Sequence, residues 1–186
     1  MKYRNFLVSS KAKVSEWITY QPDAAHAVFL YDLCLEAAGR QAGKRVDALV
    51  IETAKIPMGE AWMVEVKDFR RMFHQPNPDN STDLDKTVER KMADSHRFLM
   101  SDTMPQAISK PYRVSSGVHY CFHIELPELK DMKQPWQRLT YSALVSITRA
   151  MATGRVVKTP NHSPLEVLNA TLINGNSAYP WQVVLT

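Results

Sequence analysis

The sequence predicts an α/β fold in which a mixed β-sheet is flanked by helices. Two apolar runs, Val46–Glu52 and Ala61–Lys67, are separated by a short turn and predict a tight hairpin. A third run, Val118–Leu126, alternates apolar and polar residues with the period of two that is typical of a strand. Two longer segments, Thr82–Met100 and Trp136–Met151, carry apolar residues at helical spacing.

The elements are expected in the order helix, strand, strand, helix, strand, helix, short helix, strand. Asp23 can cap a first helix that extends to Gln41. The capping box Ser163–Glu166 predicts the short helix, and Trp181–Leu185 predicts the last strand. The helix after the hairpin is expected to bury four residues, namely Leu84, Val88, Met92 and Leu99.

Length and composition indicate a single globular domain. The chain has 186 residues, of which 45% are hydrophobic and 23% are charged, so we expect one domain over residues 1–186. Its core is expected at about 23–126, with C-terminal helices and the last strand in 135–186. Two cysteines are too few for a disulfide framework, which favours a reducing, cytoplasmic compartment.

Charge and hydropathy restrict the partners. The net charge of +4 is compatible with a polyanionic partner without requiring one. No apolar run has the length of a signal peptide or a membrane span, so no membrane partner is expected. Glycine-rich phosphate loops are absent from the sequence, so no nucleotide cofactor is expected.

Three charged residues lie in otherwise apolar strands, where a hydrophobic residue would be expected. Glu65 and Lys67 are two residues apart and therefore project from one face of their strand. If the hairpin is centred near Ile56, Asp47 lies opposite Glu65 on that same face. A register shifted by two residues would place Asp47 opposite Lys67 instead. Either register brings two carboxylates and an ammonium to one position.

Two carboxylates this close repel each other and need a cation between them. Mg²⁺ takes oxygen ligands and keeps several waters, which leaves room for a substrate. Lys67 beside such an ion could orient or deprotonate a water. A metal and a lysine of this kind are sufficient to hydrolyse a phosphodiester.

This arrangement resembles the PD-(D/E)XK, or restriction-endonuclease-like, nuclease superfamily. The resemblance covers the predicted first helix, the hairpin and the next helix, about half of the chain. Glu65-Val66-Lys67 is similar to the Glu-X-Lys element of that family, and Asp47 to its aspartate, although Val46 stands where many members have proline. Glu36 is the best match for the acid on the first helix, with Asp32 as the second choice.

The resemblance implies a restriction-endonuclease-like core and a metal-dependent endonuclease or exonuclease. It favours DNA over RNA as the substrate, although relatives that cleave RNA exist and nothing in the sequence separates the two. Asp47, Glu65 and the carbonyl of Val66 would bind Mg²⁺, for which Mn²⁺ could substitute. Lys67 would activate the attacking water, and Glu36 would hold a metal-bound water or a second ion. The oligomeric state stays open, a homodimer or larger complex included.

Five basic residues are candidates for contacts with nucleic-acid phosphates. Arg70 and Arg71 directly follow the Glu-X-Lys strand. Lys86, Arg90 and Arg97 form a stripe along the helix after the hairpin, and a solvent-facing stripe is the simpler interpretation.

Two other interpretations stay open. The chain could be a catalytically inactive protein of nuclease fold that binds nucleic acid or a protein partner. Alternatively, Asp47 and Lys67 could form a structural ion pair at a sheet edge, with Glu65 on an exposed face.

His119, Cys121 and His123 alternate on one strand and are interpreted as a half-exposed polar face.

Overall fold

The chain folds into two β-sheets and a set of helices, which confirms the predicted α/β class. The computed structural model describes residues 7–31, 45–53, 59–70, 83–101, 106–154 and 156–186. Within these ranges, no helix is long and apolar enough to cross a membrane. The strands are β1 (Leu7–Val8), β2 (Ala12–Lys13), β3 (Ile18–Pro22), β4 (His26–Leu30), β5 (Ala48–Glu52), β6 (Glu60–Asp68), β7 (Gly117–Glu125), β8 (Leu165–Leu168) and β9 (Trp181–Leu185). The α-helices are α1 (Leu84–Met100), α2 (Gln106–Arg113), α3 (Pro135–Ala152) and α4 (Ala170–Asn174).

The larger sheet is mixed, as predicted, and has six strands in the order β1-β4-β5-β6-β7-β8. Strands β1, β4, β5 and β6 pair antiparallel, whereas β6, β7 and β8 pair parallel. The smaller sheet has the order β2-β3-β9 and is antiparallel. The carboxyl ends of β6, β7 and β8 therefore lie at one edge of the larger sheet.

The larger sheet is covered on both faces, which explains its apolar central strands. Leu49 and Ile51 of β5 pack in one cluster with buried residues of α1 and α3. Ala48 and Val50 of the same strand pack in a second cluster with residues of β3, β9 and α4. Because alternate residues of a strand point to opposite faces, a strand covered on both sides is apolar throughout.

The hairpin and helix α1, the helix predicted after the hairpin, agree with the sequence predictions. Strands β5 and β6 pair with Leu49 opposite Met63 and Ile51 opposite Ala61, the register expected for a turn centred near residue 56. Helix α1 buries Leu84, and with it the three other residues predicted for its inner side, Val88, Met92 and Leu99.

The predicted first helix, Asp23–Gln41, is wrong over its opening residues, which form β4. Four consecutive residues from His26 to Phe29 are buried, and such a run has no period that separates a buried strand from a buried helix. Asp23 accepts a hydrogen bond from the Ala25 amide at 2.8 Å. Its carboxylate therefore stabilises a turn and does not cap a helix. Residues 32–44, and with them Asp32 and Glu36, lie outside the described residues.

The predicted short helix at Ser163–Glu166 is also wrong, because Leu165–Leu168 form β8 and pair with β7. Glu166 makes no capping contact and instead accepts a hydrogen bond from the Tyr179 hydroxyl at 2.9 Å. Strand β3 was not predicted, and it is held by pairing with β9 at the far end of the chain. Helices α2 and α4 were not predicted.

Candidate functional site

Asp47 lies immediately before β5 and is held in place from three directions. Its Oδ2 accepts a hydrogen bond from the Val66 amide at 2.7 Å, across the hairpin. Its carbonyl accepts one from the Tyr31 amide at 3.1 Å. The preceding amide, that of Val46, donates to Ser95 Oγ on α1 at 3.0 Å. The hairpin and α1 together therefore fix the direction of this carboxylate.

Glu65 is the buried member of the predicted set. Continuing the register of the hairpin by one residue places Glu65 opposite Asp47. The Glu65 side chain has no exposed surface, whereas Asp47 is 21% and Lys67 34% exposed. Lys67 Nζ lies 3.3 Å from Glu65 Oε1. The structure therefore brings the three predicted residues together, and the interpretation in which Glu65 faces solvent is wrong.

Lys91 of α1 is a fourth member of this site that sequence reasoning missed. Its Nζ lies 2.8 Å from Glu65 Oε1 and 3.9 Å from Asp47 Oδ1, so one ammonium faces both carboxylates. We call Asp47, Glu65, Lys67 and Lys91 the ion cluster. A signal was present, because Lys91 follows Leu84 by seven residues and Val88 by three, which is the spacing of the buried side of α1.

The electrostatics of the cluster are dominated by the burial of Glu65. Burial, reinforced by the nearby Asp47 carboxylate, raises the pKa of Glu65 to about 8, although Lys91 and Lys67 act in the opposite direction. Among the described residues, Glu65 Oε2 has no hydrogen-bond partner. A buried carboxylate oxygen of this kind is costly unless a cation or a donor reaches it.

The donor set can be compared with the needs of Mg²⁺. No three Asp, Glu, His or Cys side chains of the described ranges gather around a position that could hold an ion. Mg²⁺ is usually bound through one or two carboxylates and completes its shell with waters, so Asp47 and Glu65 fit that ion. The carbonyl of Val66 and the carboxylate of Glu36 stay predictions as further ligands, and Glu36 lies outside the described residues.

Arg70 has partners within the chain. Its guanidinium binds Asp68, with Nη2 2.6 Å from Oδ2 and Nε 3.0 Å from Oδ1. Nη2 also lies 3.3 Å from the carbonyl of Trp17, in the connection between β2 and β3. These contacts favour a structural role in joining the two sheets. A contact of Arg70 with phosphate stays a prediction, and Arg71 lies outside the described residues.

The basic stripe lies on the solvent side of α1. Lys86 is 3.2 Å from Asp83, and both arginines pair with Asp94, Arg97 at 3.2 Å and Arg90 at 3.9 Å. At roughly 100° per residue, the stripe is on the side of α1 opposite its buried residues. The pairing and the direction favour the solvent-face interpretation.

The strand β7 residues that were interpreted as a half-exposed polar face are largely covered, so that expectation is wrong. Cys121 and His123 are fully buried, and burial raises the pKa of the Cys121 thiol. His123 Nδ1 lies 2.6 Å from the Tyr20 hydroxyl, and its Nε2 lies 2.7 Å from Glu125 Oε1. His119 is half-buried and stacks on Trp62. This face is the contact between the two sheets.

Comparisons with known proteins identify no relative. No protein-family model matches the chain, no curated protein matches it, and no solved structure matches it.

Proposed function

We propose that this chain is a metal-dependent nuclease with a restriction-endonuclease-like core that hydrolyses phosphodiester bonds in nucleic acid, with DNA favoured over RNA. The observation that carries the proposal is the convergence of Asp47 and Glu65 across the β5–β6 hairpin, with Lys67 beside them. The mixed six-stranded sheet is compatible with such a core and supports the proposal.

The roles proposed for the residues of the site follow from how far each side chain is buried. When bound, Mg²⁺ supplies a Lewis acid that polarises the phosphodiester and makes a bound water more acidic. Asp47 and Glu65 would hold the ion, one from the rim of the site and one from its buried floor. Lys67 is the more exposed of the two lysines, and its ammonium would orient the water or stabilise charge that develops on the phosphate.

One observation favours the second candidate, a catalytically inactive protein that binds nucleic acid or a protein partner. Lys91 already offers both carboxylates a positive charge, so the ion cluster could be stable without a metal. Such a cluster would be structural, as buried ion networks often are.

Incubation with nucleic acid separates the two candidates. Supercoiled plasmid, single-stranded DNA and RNA would each be incubated with Mg²⁺, Mn²⁺ or EDTA and examined on gels. The nuclease proposal expects cleavage that EDTA abolishes and that Asp47→Asn loses. Asp131→Asn, at an exposed aspartate outside the cluster, should cleave like the wild type.

Absence of cleavage under all these conditions would contradict the nuclease proposal. Cleavage that persists in EDTA, or in Asp47→Asn at the wild-type rate, would contradict the metal site. Binding of nucleic acid without cleavage would favour the inactive alternative.

A further inference from the structure

We infer that Lys91 is a resident counter-ion that a divalent cation must displace, so that this lysine sets the affinity of the site for metal. The inference rests on the proposed function, because it concerns the same two carboxylates. It assigns to a residue of α1 a role that the hairpin motif does not contain.

The geometry places the ammonium where a shared cation would act. Lys91 Nζ lies 2.8 Å from Glu65 Oε1 and 3.9 Å from Asp47 Oδ1. Among the acidic side chains that the structure describes, Lys67 is within ion-pair distance of Glu65 alone. A divalent ion bound by both carboxylates would need the region that the Lys91 ammonium shares with them. The two positive charges cannot occupy it together.

Helix α1 holds Lys91 at this position. Ser95, one turn further along the helix, accepts a hydrogen bond from the Val46 amide at 3.0 Å, next to Asp47. The Ser95 carbonyl accepts one from the Tyr31 hydroxyl at 3.4 Å. The Lys91 side chain is only 14% exposed, so the ammonium is directed into the cluster and not into solvent.

Charge arithmetic gives the direction of the effect. The cluster holds two carboxylates and two ammonium groups, so it is near neutrality when Asp47 and Glu65 are both ionised. At an effective dielectric constant of about 20, a unit positive charge and a divalent cation about 5 Å apart repel each other. This repulsion energy is larger than the binding free energy that corresponds to a tenfold change in Kd. Removing the Lys91 charge should therefore tighten Mn²⁺ binding at least about tenfold.

The test measures binding of Mn²⁺ alone to the full chain by titration calorimetry, with no nucleic acid present. The proteins are the wild type, Lys91→Met, Lys91→Gln and Lys91→Arg. Methionine keeps the length of the buried side chain, and glutamine serves if the methionine variant fails to fold. Lys110→Met, at an exposed lysine of α2, is the matched control for loss of one positive charge.

The inference expects Kd for Mn²⁺ to fall at least about tenfold in the neutral Lys91 variants and to stay near the wild-type value in Lys91→Arg and Lys110→Met. A wild type that binds Mn²⁺ with the same or a lower Kd than the neutral variants would overturn the inference and leave the nuclease proposal standing. Binding that appears only in the neutral variants would support the inference and count against metal-dependent activity of the wild type. Absence of binding in every protein would overturn the inference together with the metal site.

Discussion

Replacing Glu65 with glutamine should change how the stability of the protein depends on pH. Burial and then the Asp47 carboxylate raise the pKa of Glu65 from 4.5 to about 8. Glutamine has nearly the same shape and carries no charge at any pH. The substitution therefore removes the ionisable group and preserves the packing on the face of β6 that lies against α1.

The sign follows from proton binding. Between pH 4.5 and about 8 the native protein holds a proton on Glu65 that the unfolded chain has lost. The free energy of unfolding must therefore fall as pH rises through this interval. Above about pH 8, where Glu65 is ionised in the native protein as well, the loss of stability is complete. Each pH unit between the two pKa values corresponds to about 1.4 kcal/mol, so the loss in free energy of unfolding is at most about 5 kcal/mol.

Urea unfolding at about pH 5 and about pH 9 measures this difference. We expect the free energy of unfolding of Glu65→Gln, relative to that of the wild type, to be greater at about pH 9 than at about pH 5, by up to about 5 kcal/mol. Glu16→Gln, at an exposed glutamate, is the control and should follow the wild type. If wild type and Glu65→Gln lose stability in parallel as pH rises, Glu65 is already ionised at low pH and the reasoning from burial is refuted.

The other predictions concern catalysis, substrate contacts and the support of Asp47. Lys67→Ala should lower the single-turnover cleavage rate by ~10²–10⁴-fold, and Lys67→Arg should also be impaired, with binding retained in both. Wild-type rates in both variants would make Lys67 structural and contradict the proposed resemblance to the nuclease superfamily. Alanine at Lys86, Arg90 and Arg97 together should leave the salt dependence of nucleic-acid binding unchanged, because this stripe faces away from the ion cluster; a slope reduced by about one ion per lost contact would instead place phosphates there. Ser95→Ala should lower the free energy of unfolding by about 1–3 kcal/mol, because it leaves the buried Val46 amide without its acceptor, and an unchanged value in urea unfolding would contradict that account.

The site could be predicted from sequence as far as the hairpin reaches. A period of two and a short turn leave two registers open, and the one centred near Ile56 pairs Leu49 with Met63 and Ile51 with Ala61. The structure has this register and not the one shifted by two residues. That register places Asp47 opposite Glu65 without any knowledge of the rest of the fold. A hairpin is local, so its pairing follows from the residues of the two strands and the turn between them.

Lys91 joins the ion cluster only through tertiary packing. It follows Glu65 by 26 positions along the chain, and the helical pattern places it on the inner side of α1 without saying which strand lies opposite. The burial of Glu65 has the same origin, because α1 packs against the face of the sheet on which Glu65 lies. The raised pKa of Glu65 is thus a property of the fold and not of the Glu-X-Lys sequence.

Local periodicity was enough to predict the hairpin, the buried side of α1, strands β7 and β9 and the residues of the motif. Strands β4 and β8 form because of tertiary contacts. The buried run of β4 and the short run of β8 are each compatible with a helix or a strand, and hydrogen bonding to a neighbouring strand selects the strand. Tertiary structure also decided that the polar residues of β7 lie between two sheets, because Tyr20 of β3, a strand that pairs with β9 at the other end of the chain, lies against His123. Periodicity reports which side of a segment is buried, whereas the partner that buries it is chosen by contacts distant in sequence.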